Sequence, residues 1–204
     1  MLYLHRHQSN FKKLDTDLLL QRYQLGERNF GRVDINQAYL SDLNVEDINL
    51  CQGNLAEINL SCTVLQRANL DEANLKGATL WRADLHQASL VRARCSQALF
   101  IRANLNRANL YQAQLNNAEI RLACLIGADL QGADLSGANL SYANLSSANL
   151  MGANLTRTIF TGANLTQTNL SNTNLDAAIL EGVNLDSATL PKREIASCYS
   201  FKSY

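Results

Sequence analysis

Large apolar residues occupy every fifth position from Phe30 to Leu190. The series has 33 members without insertion or deletion, and only Cys95 is not a large hydrophobic residue. On an α-helix a step of five residues turns about 140° net, so these side chains would form no apolar stripe. On a straight strand they would alternate between the two faces. A backbone that bends once per repeat sends them all to one interior, which predicts a solenoid.

A second column of small residues accompanies the first. Two residues before each large apolar residue, alanine occurs 18 times in succession from Ala68 to Ala153. Residues two apart in an extended segment share a side, so we expect these alanines to point inward as well. The intervening residue is commonly Asn or Asp, as at Asn69, whose side chain can bond nearby backbone amides at a bend. The two residues after each leucine are mostly polar or small, as on a solvated surface.

The tandem pattern A(N/D)LXX, read at residues 138–142 and 148–152, resembles the pentapeptide repeat family over about four fifths of the chain. The resemblance implies an all-β fold, a right-handed quadrilateral β-helix with four repeats per coil and about eight coils. Residues twenty apart then stack on one wall. Residues 25–30 are similar to the entry segment of cyanobacterial members of the family, including a member that regulates heterocyst development.

Both ends of a solenoid expose unpaired strand edges, so caps are expected. Residues 12–26 have an N-cap candidate in Asp15 or Thr16, apolar residues at helical spacing and a closing glycine, which predicts a short capping helix. The predicted segments are 1–27 for the N-terminal segment and helix, 28–190 for the β-helix and 191–204 for a C-terminal tail or cap. A lid, a disordered tail and a homodimer contact remain open for the last segment.

The composition argues against several chemistries. Five cysteines without a Cys-x-x-Cys spacing favour neither a disulfide framework nor a zinc site, and Cys95 is interpreted as an inert core thiol. The histidines, His5, His7 and His86, cannot form a catalytic constellation. We therefore expect no enzyme, cofactor, metal or small-molecule substrate. The glycines are interpreted as small outward residues. No apolar run suggests a signal peptide or membrane span, so a cytoplasmic location is expected.

Charge is uneven along the chain although its net charge is zero. Residues 34–72 contain seven acids and one base, whereas residues 82–121 contain six arginines and two acids. This basic belt also holds outward apolar residues, and such mixtures of Trp, Tyr and Arg are typical of interface anchors. The predicted partner-binding residues are Trp81, Arg82, Ile101, Arg102 and Arg121 on one wall, with Arg92 and Tyr111 on the opposite wall. A solvated wall that tolerates them is the alternative.

Three functions compete at this point. The preferred one is a non-enzymatic, regulatory protein-interaction module with a protein partner of unknown identity. The second is DNA mimicry, as in family members that bind gyrase, but those are strongly acidic and often carry loops. The third is direct nucleic-acid binding through the arginine belt, which is disfavoured because its arginines spread over several walls between acidic coils.

Overall fold

The computed structural model describes residues 11–191, and its walls are built from parallel bridges. Each bridge joins the residue before a core position to the residue twenty later, from Asn29 with Asn49 to Asn169 with Thr189. Four repeats therefore complete one coil, and about eight coils stack into a quadrilateral β-helix. The right-handed sense of the coil stays a prediction, as do the segment boundaries. Residues 192–204, for which a lid, a disordered tail and a homodimer contact were considered, lie outside the described residues, and so do His5 and His7.

The two inward columns line one continuous core. From Phe30 to Leu170 every core position is at most 4% exposed, and the alanines from Ala68 to Ala153 are at most 1% exposed. This confirms that the five-residue period places one large and one small side chain per repeat in a shared interior. Burial raises the pKa of the Cys95 thiol to about 12, which fits its interpretation as an inert core thiol.

Each repeat bends at a β-turn whose third residue has a positive φ. The amide of Ala83 donates to the carbonyl of Leu80 at 3.1 Å, and Arg82 between them has a φ of 55°. The same left-handed conformation recurs at the equivalent position along the rod, where Gly127 has a φ of 64°. Glycine adopts this conformation without strain. The sequence interpretation of such glycines as merely small outward residues therefore missed a backbone requirement.

Asparagine and aspartate before the core position stabilise these bends, as the sequence suggests. The side-chain oxygen of Asn149 accepts a hydrogen bond from the Met151 amide at 3.2 Å. Many of these side chains also bond along the wall, and the Asn74 carboxamide donates to Asn54 one coil away at 3.1 Å. Local turns and the stacking of coils are thus supported by the same residue type.

The N-terminal end is covered by a short helix and one added strand. Helix α1 runs Thr16–Gln24, and its N-cap Asp15 accepts from the Asp17 amide at 2.8 Å. Leu19 of the helix is fully buried. Before it, strand β1 (Lys12–Lys13) pairs in parallel with strand β2 (Val33–Asp34), which the sequence analysis did not predict. The capping helix itself is confirmed, with Asp15 as its N-cap.

Candidate interaction surface

One wall of the rod brings together five of the seven predicted site residues. It comprises the outward residues around Leu80, Phe100, Ile120, Leu140 and Phe160, and we call it the Trp81 wall. Parallel bridges from Thr79 to Leu99 and from Leu99 to Glu119 join its successive coils. Because of this register, Trp81, Arg82, Ile101, Arg102 and Arg121 lie on the same face.

The aromatic and basic groups of this wall are close neighbours. The Trp81 side chain is 41% exposed, and the Arg82 guanidinium carbon lies 5.3 Å from its ring centroid, a cation–π distance. On the next coils Nε of Arg121 lies 2.9 Å from Oε2 of Glu119 as an ion pair. Among residues 11–191 neither Arg82 nor Arg102 forms a salt bridge, and both residues are exposed.

Several further apolar residues on this wall escaped the sequence analysis. Leu122 and Tyr142 are 46% and 64% exposed and sit one and two coils beyond Arg102. The Tyr142 ring lies over Gly162, where an added Cβ would come within 2.6 Å of its Cε1 atom. Leu99 and Ile159 are half-buried on the same face. The signal was present in the sequence, since the twenty-residue register applies to all three outward positions of a repeat.

The opposite wall, which holds Arg92 and Tyr111, has a different character. Nε of Arg92 donates to the Gln112 side chain at 3.2 Å, and the Tyr111 amide donates to Asn109 at 3.0 Å. The structure therefore does not bring these two predicted residues together with the Trp81 wall. It also distributes the arginine belt around the rod, because Arg94 and Arg107 lie on the two remaining walls.

In the acidic first coils, residues 34–72, the one arginine, Arg67, is paired with two acidic side chains. Nε of Arg67 lies 2.8 Å from Asp47, and its Nη2 lies 2.9 Å from Glu46. Hydrogen bonding by Arg67 holds the pKa of Asp47 below its usual value. The charges of Arg67, Asp47 and Glu46 are therefore paired between neighbouring coils. Within residues 11–191 there is no group of His, Cys, Asp and Glu side chains arranged to hold a metal ion, and no helix long and apolar enough to cross a membrane.

A four-walled coil with a leucine and alanine interior defines a β-helical solenoid protein. The model of the family described as Pentapeptide repeats matches in eight copies, over residues 46–82, 54–90, 80–119, 93–132, 118–157 and 158–191. The chain therefore belongs to the pentapeptide repeat family, which in general consists of non-enzymatic structural or interaction proteins.

Solved structures similar to this chain include two cyanobacterial proteins. HetL, a pentapeptide repeat protein involved in heterocyst differentiation regulation from Nostoc sp. strain PCC 7120, is 27% identical, with 89% of this chain and 99% of that chain covered and a TM-score of 0.40. The protein alr5209 from Nostoc PCC 7120 is 29% identical over 56% of this chain and 79% of its own, with a TM-score of 0.34.

A third similar structure is full-length QnrB1, a plasmid-mediated fluoroquinolone resistance protein. It is 19% identical over 80% of this chain and 84% of its own, with a TM-score of 0.43. No curated protein matches the chain.

Proposed function

We propose that this chain is a non-enzymatic, regulatory protein-interaction module whose Trp81 wall binds a protein partner in the cytoplasm. The observation that carries the proposal is the gathering of Trp81, Ile101, Leu122 and Tyr142 with arginines on one face. Exposed aromatic and arginine side chains dominate the binding energy of many protein interfaces. The free cysteines of the described residues fit a reducing compartment.

The construction of the rod suits this role. Consecutive coils are joined by backbone hydrogen bonds, such as that from the Phe100 amide to the Glu119 carbonyl at 2.7 Å. The core residues beneath the wall, Phe100 and Phe160, are fully buried. A surface held this firmly loses little conformational entropy when a partner binds. Nucleic-acid binding and gyrase mimicry gain no comparable support, because the arginines are distributed over four walls and the middle coils are basic.

Affinity capture with the full chain tests the proposal. We expect immobilised protein to retain one specific protein from a native lysate, and a variant with Trp81→Ala and Arg102→Glu to lose it. Quantitative mass spectrometry of the retained proteins provides the measurement. A loss of tenfold or more in prey abundance is expected, since two anchors of the same interface are removed.

Matched variants identify the wall that is used. Tyr111→Ala with Arg92→Glu makes the same chemical change on the opposite wall and should leave capture intact. Circular dichroism should show that both double variants keep the β-helix. Loss of the prey only with the Tyr111 and Arg92 variant would assign the contact to the opposite wall and contradict the proposal, as would the absence of any specific prey.

A further inference from the structure

The Trp81 wall departs from the repeat at the position before the core residue. On the opposite wall that position is Asn109, Asp129 and Asn149 on successive coils, and each side chain accepts a hydrogen bond from the amide two residues later. On the Trp81 wall the same position holds Thr79, Leu99, Glu119, Asn139 and Ile159, followed one coil later by Ile179. Aliphatic side chains have thus replaced the turn-stabilising amide on several coils of one wall.

An aliphatic residue at this position gives up a local hydrogen bond. Within residues 11–191 the amides of Ile101 and Thr161 have no side-chain acceptor, whereas the Ser141 amide between them donates to Asn139 at 3.1 Å. Departures from local rules that lack a compensating gain in the fold concentrate at functional sites. Leu122 and Tyr142 on the same wall are exposed. Their exposure indicates that the lost hydrogen bonds are compensated by binding to a partner.

Six apolar side chains form a strip along this wall, namely Trp81, Leu99, Ile101, Leu122, Tyr142 and Ile159. We propose that this strip is the binding site for an amphipathic α-helix from a protein partner, with acidic residues beside the apolar stripe of that helix. The proposal rests on the proposed function and adds the chemistry of the partner. The bound helix lies along the rod axis with its stripe on the apolar side chains.

The spacing of the strip favours a helix over a strand. Coils of a β-helix repeat at about 4.8 Å, close to the helical pitch of about 5.4 Å, so each helical turn meets one coil. Side chains on one face of a strand are about 6.6 Å apart and lose this register. Strand addition along the wall is also blocked, because the Leu99 carbonyl accepts from Leu80 at 2.8 Å and the Phe100 amide donates to Glu119 at 2.7 Å. From Trp81 to Ile159 the strip spans four coil steps of about 4.8 Å each, which corresponds to about 13 helical residues.

The arginines beside the strip favour a partner helix with acidic residues on either side of its apolar stripe. Between residues 79 and 162 the wall carries three arginines and one glutamate, and that glutamate, Glu119, is already paired with Arg121. Arg82 and Arg102 remain for a partner. Guanidinium groups bind carboxylates through paired hydrogen bonds, and these contacts strengthen where apolar neighbours exclude water.

The test uses the full chain and three designed 16-residue peptides without tryptophan. The first has a leucine stripe flanked by glutamates, the second has lysines in place of those glutamates, and the third scrambles the first so that no stripe remains. Trp81 is the single tryptophan of the chain, so its emission reports occupancy of the wall. We expect a saturable blue shift with the glutamate peptide, at least tenfold tighter than with either of the others and weakened by salt.

Two variants that restore the repeat separate binding from folding. Leu99→Asn and Ile159→Asn provide the missing acceptor, so their melting temperatures should equal or exceed that of the unmodified chain. Their affinity for the glutamate peptide should fall at least tenfold. Gln114→Asn makes a matched change on a neighbouring wall and should leave the affinity unchanged. Retained affinity in Leu99→Asn, or equal binding of the lysine peptide, would overturn the proposal.

The remaining outcomes distinguish this proposal from the proposed function. If lysate capture depends on Trp81 and Arg102 but no peptide shifts the Trp81 emission, the interaction stands and the helical, acidic partner is refuted. If the glutamate peptide binds as expected but capture of the prey does not depend on Trp81 and Arg102, the helix-binding site is supported and the proposed function of the wall is refuted. Tighter binding of a DNA duplex than of the glutamate peptide would refute both.

Discussion

Within residues 11–191, the two ends of the rod differ in how deeply their core leucines are buried. At the N-terminal end α1 buries Leu19 completely against the first coil, and β1 pairs with the backbone of β2. At the other end Leu170 is 1% exposed, whereas Leu190, one coil later on the same wall, is 47% exposed. Both leucines occupy the same position of the repeat. The burial of a core leucine therefore depends on the layer beyond it and not on its own five residues.

The largest effect expected from this comparison is at Leu19. Leu19→Ala should lower the free energy of unfolding by about 2 to 5 kcal/mol, because it removes a fully buried side chain and leaves a cavity over the first coil. Urea denaturation followed by circular dichroism measures the change. The control is Leu18→Ala on the same helix, whose side chain is 45% exposed and should matter by less than about 0.5 kcal/mol. Equal effects of the two variants would show that α1 does not close the core.

A smaller effect is expected at the start of the same helix. Asp15→Ala removes the acceptor of the Asp17 amide and should cost about 1 kcal/mol. Asp15→Asn keeps a side-chain acceptor and should retain most of the stability. Hydrogen exchange of the α1 amides, read beside urea denaturation, should show faster opening in Asp15→Ala alone. Faster exchange in both variants would attribute the effect to charge instead of the cap.

The smallest effect is expected at the far end. Leu190→Ser should change the free energy of unfolding by less than about 0.5 kcal/mol, since half of this side chain already contacts solvent. Leu170→Ser makes the same change one coil earlier, as a buried control, and should cost about 2 kcal/mol or more. Thermal unfolding of both variants provides the measurement. A large loss in Leu190→Ser would mean that another layer covers the last coil in solution.

The interior could be predicted from the sequence because one constraint is repeated many times. Each leucine, as at Leu105, must return to the same axis, and no helix or straight strand satisfies a period of five. The turn conformation was harder to predict. Its positive φ is adopted by Arg82 and Gln97 as well as by Gly127, so the residue type at that position carries a weak signal. Strand β1 has only two residues and no pattern of its own.

The surface was predicted only in part. Stacking at twenty-residue intervals correctly placed Trp81 above Ile101, but Leu122 and Tyr142 were missed because their outward position was not followed along the wall. The loss of asparagine at Leu99 and Ile159 has meaning only when each wall is compared with the other three. Such a comparison needs the four stacks of bridges, which the period of five alone does not define.

The four-repeat coil also limits which insertions and deletions the chain can tolerate. Insertion of a single residue would shift every later leucine out of the interior, whereas insertion of five residues would preserve the core but rotate everything downstream by one wall. Tyr142 would then leave the face that holds Trp81. Only whole turns of twenty residues can be gained or lost without scrambling the outer surface, so the rod can change its length in evolution most safely by duplicating or deleting complete coils.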